Sequence, residues 1–383
     1  MSDLLRRRTV QNLAIATTGA APVTPAPVTT GWPVGDTLLK SLVLRYSGVV
    51  SVTLGGGALS VVKQQIARLL SNITFGTDKH QAIIDQGMDG LSLLRMLAID
   101  AKADPYYLDV AANAAGAVPF EMIYKIPIMD AKGARAWDTA LDLLLSQPYL
   151  RQAVAAVNAN TLGSIAGGAG TSIVITSLAL EVSTEEYAGP FLDSNGAPAF
   201  ASIAPGFQKF LGVQATQITA TKSQFQIDLP YGDRIYRRIV IMPRDSVTGV
   251  ERTDILGQTD QDRMSLVLNS VPIIENVETQ LMQHEAVQEY APATVAPGAV
   301  VIDFHKLMTD GSVRGARLSN DLALITPGQQ VFKLLIDVTF QNGGSPALYI
   351  GYDCVKPLQS PAKRPEQLNP KVAAAVNSSK AGK

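Results

Sequence analysis

The sequence predicts an all-β chain: two β-sandwiches in tandem, with short inserted helices and an N-terminal helical arm. Three observations point there. The 383 residues exceed a single domain of ordinary size. Residues 33–44, PVGDTLLKSLVL, recur in style as residues 230–241, PYGDRIYRRIVI. Pro33, Gly35, Asp36 and Val43 return at a fixed offset as Pro230, Gly232, Asp233 and Val240. Leu38, Lys40, Leu42 and Leu44 return as Ile235, Arg237, Ile239 and Ile241, so a Pro-Gly turn launches an apolar strand twice. Finally, apolar residues alternate with period two in several segments bounded by Gly/Pro turns.

Taken in order, the chain opens with Arg6, Arg7 and Arg8 beside Leu4, Leu5, Val10 and Leu13. This reads as a short basic helix whose apolar side lies on a membrane surface or a neighbouring subunit, set against the alternative of a solvated tail. The apolar stretch after it is too short for a signal peptide. A Pro-rich strap runs from Pro22 to Pro33. Ser41–Leu54 is a strand with a local break at Gly48, and Gly55, Gly56 and Gly57 turn the chain. Phe120, Met122, Tyr124, Ile126 and Ile128 alternate as a strand with one buried face. Trp137, Leu141, Leu144 and Leu145 recur at helical spacing, predicting a helix over 134–145 that Pro148 ends. Ile173–Val182 is a strand, and the Gly/Pro-rich stretch 188–205 is the domain boundary.

The second half continues the style. Phe225, Ile227 and Leu229 alternate, as do Phe332, Leu334, Ile336, Val338 and Phe340. Asp262–Asn269 is expected as a short helix capped by Thr259 or Asp260. Val300–Phe304, Leu322–Ile325 and Ala347–Val355 are strands. A weaker echo pairs Gly116 and Phe120 with Gly328 and Phe332. The expected division is an arm and strap over 1–34, a first sandwich over 35–190, a linker over 191–224, a second sandwich over 225–357 and a disordered tail over 358–383.

Composition narrows the function. The net charge is −1, which argues against a globally basic nucleic-acid binder. Charged residues make up 17%, below the ~25% usual for soluble proteins. Surfaces buried against other chains explain that scarcity, because obligate interfaces are depleted in charge. Cys354 is the only cysteine, so neither an internal disulfide nor a four-thiolate metal site is available. It reads as a small buried hydrophobe. No apolar run reaches the ~18–20 residues that span a bilayer. His80, His284 and His305 are the only histidines. Asp303 and His305 share a strand face, yet a third metal ligand is not visible. Gly163–Gly170 is Gly-rich without the Lys-Ser/Thr of a phosphate loop and reads as a hairpin. Arg237 and Arg238 point to opposite faces of one strand, so with Arg234 they do not form one basic patch. No catalytic site, metal or cofactor is expected.

This combination resembles the double jelly-roll major capsid proteins of tailless, membrane-containing icosahedral bacteriophages, the tectivirus-like group. The resemblance covers roughly 35–357. The openings at Gly35-Asp36 and Gly232-Asp233 fit the first strand of each roll. Met122–Met129 and the helix after it look like a strand and inserted helix of the first roll, and Ile173–Tyr187 resembles its closing strand. Pro297–Pro327 is similar in spacing to late strands of the second roll, and Tyr349-Ile350-Gly351-Tyr352 to its last.

That resemblance implies a homotrimer forming a pseudo-hexagonal capsomer, neighbouring capsomers, penton and minor capsid proteins, and an inner viral membrane met by Leu4, Leu5, Arg6, Arg7 and Arg8. It implies a virion protein made in host cytoplasm, with no direct sequence-specific nucleic-acid contact. Two other classes stand beside it. One is a tandem jelly-roll spike or lectin, which needs surface aromatics. The other is an enzyme on a two-sandwich scaffold, for which Asp303 and His305 are the best candidates.

Overall fold

The computed structural model describes residues 5–15, 24–33, 37–56, 58–60, 65–78, 83–101, 106–108, 115–129, 141–143, 147–154, 164–166, 172–188, 207–230, 235–247, 249–290, 295, 298–304, 331–341 and 343–357. In the first half the strands are β1 (Leu5–Ala14), β2 (Thr37–Thr53), β3 (Ala58–Ser60), β4 (Leu70–Thr77), β5 (Ile84–Met88) and β6 (Tyr107–Leu108). They continue with β7 (Gly116–Pro127), β8 (Leu141–Asp142), β9 (Pro148–Val154), β10 (Ser164–Ala166) and β11 (Ser172–Ala188). The second half holds β12 (Phe207–Gln217), β13 (Lys222–Asp228), β14 (Ile235–Asp245), β15 (Arg263–Leu268) and β16 (Val271–Glu278). It ends with β17 (Val300–Asp303), β18 (Phe332–Val338) and β19 (Pro346–Pro357). Among the described residues, two α-helices interrupt the strands, α1 (Gly90–Ala101) and α2 (Thr279–Tyr290), together with a short 3-10 helix at Gln65–Leu69.

Three main sheets build two sandwiches. The first sheet runs β1-β11-β2-β7-β6, with β8 also on β2. A shared seven-stranded sheet runs β17-β14-β19-β12-β5-β4-β9, and a third runs β13-β18-β15-β16. β3 and β10 form a small ribbon. The shared sheet draws strands from both halves, joined where β12 pairs parallel to β5 at Leu211↔Ile84.

Each sandwich closes over its own core. Leu42, Leu44, Leu180, Val182, Phe120 and Met122 of the first sheet pack against Ile73, Phe75, Ile84 and Leu150 of the shared sheet. Ile239, Ile241, Ile350 and Phe210 of the shared sheet pack against Phe332, Leu334, Ile336 and Met264 of the third. The alternation read in β7 and β18 is realised: Phe120, Met122, Tyr124 and Ile126 are buried, as are Phe332, Leu334, Ile336 and Val338. Cys354 is buried in the second core.

Helix α1 crosses the seam between the halves. Leu91, Leu93 and Leu94 belong to the first core. Ile99 packs with Val240 and Met242 of β14, Ala286 and Tyr290 of α2, and Val301 of β17.

Several expectations are corrected. The N-terminal helical arm is strand β1 over Leu5–Ala14, antiparallel to β11. A short apolar-basic window suits either element. The free edge of β11 decides it, because a ladder satisfies backbone groups of both strands. The helix expected over 134–145 ends instead in strand β8 at Leu141–Asp142, and residues 130–140 lie outside the described residues. Pro148 opens β9 rather than ending a helix.

The helix expected over Asp262–Asn269 is strand β15. Thr259, expected as a helix cap, lies instead in a turn closed by Asp262, whose carboxylate accepts the Gln258 N–H at 2.7 Å and the Thr259 hydroxyl at 2.7 Å. Gly48 does not break β2, which runs through it. Residues 207–217, expected within the linker, form β12, paired with β19 along its whole length. The polar segment that carries His284 is helix α2. Gly35, Asp36, Gly232, Asp233, Trp137, His80, His305, Gly328, Leu322–Ile325, the boundary over 189–206 and the tail over 358–383 lie outside the described residues.

Candidate assembly surfaces

The basic arm becomes an edge strand of the first sheet. Along the β1–β11 ladder, Arg6 stands opposite Glu186, Arg7 opposite Glu185 and Arg8 opposite Thr184. Arg8 reaches Glu186 at 3.6 Å, and that glutamate is 1% exposed. Arg6, Arg7 and Arg8 are exposed. Leu5 contributes its backbone to the strand, and Leu4 lies outside the described residues. Of the repeat residues, Pro33 is buried beside Trp32, and the Pro230 carbonyl accepts the Tyr236 hydroxyl.

The outer face of the first sheet carries a lattice of opposite charges. Arg45 pairs with Glu121 on one side and with Glu181 at 3.6 Å on the other. Glu185 accepts the Lys125 ammonium at 2.8 Å and the Ser41 hydroxyl at 2.7 Å. Burial pushes the Glu185 carboxyl up, but those two donors outweigh it and hold it below the ordinary carboxylate value. Between these groups lies an open cleft of about 440 Å³, lined by Arg7, Val43, Arg45, Tyr106, Glu121, Ile123, Glu181 and Ser183.

A second set of charges is buried at the seam. Asp89 caps α1: its carboxylate accepts the Ser92 N–H at 2.8 Å and the Ser92 hydroxyl at 2.6 Å. The Arg244 guanidinium, from β14 and 2% exposed, donates to that same Asp89 at 3.3 Å and to Ser92 Oγ at 3.0 Å. It lies over the Tyr349 ring at 5.0 Å. Arg95 of α1 grips Glu251 bidentately at 2.7 and 2.9 Å. Burial and the nearby Arg244 charge push the Arg68 guanidinium below its ordinary value.

A charge row also crosses the shared sheet. Lys209 lies 3.8 Å from Asp353 and Arg237 4.0 Å from it. Asp303 accepts Arg238 at 3.2 Å and the Tyr290 hydroxyl at 2.5 Å. Asp303, read as a candidate metal ligand, is therefore tied into an ion pair, while His284 sits exposed on α2. Among the described residues, no group of three or more His, Cys, Asp or Glu side chains gathers where it could hold a metal ion.

Residue-level reading missed Asp89, Arg95, Arg244, Lys209, Glu251 and Asp353. One local signal existed: Asp89-Gly90-Leu91-Ser92 has the spacing of a helix cap before an apolar run.

Exposed apolar side chains complete the surface. Val247 is 76% exposed at a hairpin tip, and Val271 and Val331 are exposed at one end of the third sheet. No helix among the described residues is long and apolar enough to cross a membrane.

No family model matches the sequence, and no curated protein does either. Solved structures do. A chain of Sulfolobus Turreted Icosahedral Virus superposes with a TM-score of 0.60 at 15% identity, over 98% of this chain and 96% of that one. The major capsid protein of bacteriophage PM2 gives 0.52 at 12% identity, over 93% and 99%. The chain has the double jelly-roll fold of viral major capsid proteins. The Faustovirus major capsid protein shares it with a TM-score of 0.52 at 8% identity, over 93% and 91%. At such identities the double jelly roll is kept by core pattern and pairing rather than by particular residues, which is why the likeness is one of fold.

Proposed function

We propose that this chain is the major capsid protein of an icosahedral virus. The observation that carries the reading is the double jelly-roll fold itself, matched from end to end by viral capsid proteins. In the proposed particle three chains supply six rolls to one pseudo-hexagonal capsomer, and capsomers pack with one another and with penton and minor capsid proteins. The first roll spans 35–190 and the second ends at 357, with β12 counted in the second roll because its ladder partner is β19. The role is structural rather than catalytic, and the mature site is the virion, after synthesis in host cytoplasm. Self-assembly under closed symmetry needs several contact surfaces per subunit. The low charge and the exposed valines supply apolar surface for them.

Leu4, Leu5, Arg6, Arg7 and Arg8 are proposed to meet a neighbouring subunit or the inner membrane of a tectivirus-like particle. The exposure of the three arginines supports this, since anionic headgroups attract such cations. Their strand conformation argues for contact along the edge of the first sheet rather than through an amphipathic helix.

Electron microscopy of the purified full chain tests the reading. Pseudo-hexagonal capsomers or closed shells are expected. A field of single, unassociated subunits at high concentration would overturn it.

A further inference from the structure

We propose that the cleft on the outer face of the first sheet binds an acidic saccharide, a pyranose unit carrying a carboxylate. The inference goes beyond the capsid reading and requires that any neighbour meeting the β1 edge leave the Arg7 side chain and the cleft open to solvent. The cleft measures about 440 Å³ and opens to solvent, within the size range of small-ligand sites. Its floor is partly apolar, with Val43 and Ile123 beside the Ser183 hydroxyl. Its wall includes Tyr106, 57% exposed, the kind of ring on which the C–H face of a sugar packs.

The charges divide the work. Arg45 is committed to Glu121 and Glu181. Each of those carboxylates keeps lone pairs that accept ligand hydroxyls. Arg7 lines the same cleft, and among the described residues it has no ion-pair partner. Its planar fork matches a carboxylate bidentately.

A peptide strand fits less well. The backbone of β2, β7 and β11 is already committed to the ladders of the first sheet, so the floor offers no open edge for strand addition. A neutral sugar leaves Arg7 without its counter-charge. Stacking ring, hydroxyl acceptors and one unpaired guanidinium together select the acidic sugar.

The test uses the full-length chain and three probes: glucuronic acid, glucose and acetate, compared by saturation-transfer NMR and calorimetric titration. Glucuronic acid is expected to bind about tenfold more tightly than glucose, with acetate alone weaker than either. Arg7→Ala is expected to erase the preference for glucuronic acid over glucose, and Tyr106→Ala to weaken both sugars by about threefold or more. Both positions are exposed, and an unchanged melting temperature checks that the variants fold. Lys222→Ala, on the third sheet, serves as the distant control and should leave all three titrations as they were. Absence of glucuronic acid binding overturns the proposal. So does glucuronic acid binding that survives both Arg7→Ala and Tyr106→Ala unchanged, or an equal response to the three probes.

Discussion

Arg244 and Asp89 stand 155 positions apart in sequence and meet at the seam between the two rolls. Removing one partner of a buried pair leaves the other charge uncompensated, at about 3–5 kcal/mol. Arg244→Ala should fall near the low end, because Asp89 is 24% exposed and keeps its role at the head of α1. A lower denaturant midpoint, equivalent to an unfolding free energy reduced by about 3 kcal/mol at fixed protein concentration, is the expected result. No change would mean that the seam is held by apolar packing alone. Gly48 makes a second residue-scale case. A Cβ there would sit 2.2 Å from the Ser177 carbonyl oxygen and 2.7 Å from Phe120 Cζ. Neither neighbour is free to retreat, since one is backbone of β11 and the other a core ring. Gly48→Ala should cost about 1–3 kcal/mol in thermal or denaturant unfolding. The sequence shows a glycine in a strand; only the fold shows what presses against it.

Among the elements, the third sheet depends on one carboxylate. Asp337 of β18 accepts the Gln224 N–H at 2.6 Å, the Arg263 N–H at 2.8 Å and the Ser223 hydroxyl at 2.9 Å. It thereby holds the irregular step in β13, where Gln224 has a φ of 51°, to the start of β15. Burial raises its pKa, but the three donors outweigh that and keep it below the ordinary carboxylate value. A folded pKa below the unfolded one gives stability that is present above the unfolded pKa and is lost as pH falls through the folded one. The wild type should therefore lose stability below about pH 4. Asp337→Asn should be less stable at neutral pH and show a shallower acid loss, as followed by circular dichroism across that range. An identical acid profile would remove Asp337 from the account.

Strand β1 carries another element-scale prediction. Deleting residues 1–14 strips the partner from β11 and exposes a long edge, and exposed edges template association. Increased light scattering at an otherwise intact fold is expected. Deletion as far as residue 28 would cut deeper, because Val28 is 1% exposed and bridges Leu150. The two helices show why some elements were hard to read. Nearly every position of α1 is buried, so it lacks the polar stripe that marks an amphipathic helix, while α2 buries only Thr279, Ala286 and Tyr290.

Across the whole molecule, period-two alternation sufficed for β7 and β18, because alternate residues of each face a core. The repeated strand openings pointed to two sandwiches, and two cores follow. The shared sheet was not legible. It rests on the parallel contact of Leu211 with Ile84, a long-range pairing that no local pattern encodes. The buried charges were not legible either, since an Arg or Asp in a sequence reads as solvent-facing until its partner is placed beside it. The cleft shares that origin: Arg7, Arg45, Tyr106 and Glu181 come from four separate strands or their flanks.

The scarcity of charge, 17% of residues, fits a subunit whose free surface is covered by its neighbours. Native mass measurement of the full-length chain tests this most directly. A trimer of three 40.6 kDa subunits that persists on dilution and dissociates only as it unfolds is the expected result. A stable, folded 40.6 kDa monomer at micromolar concentration would contradict it.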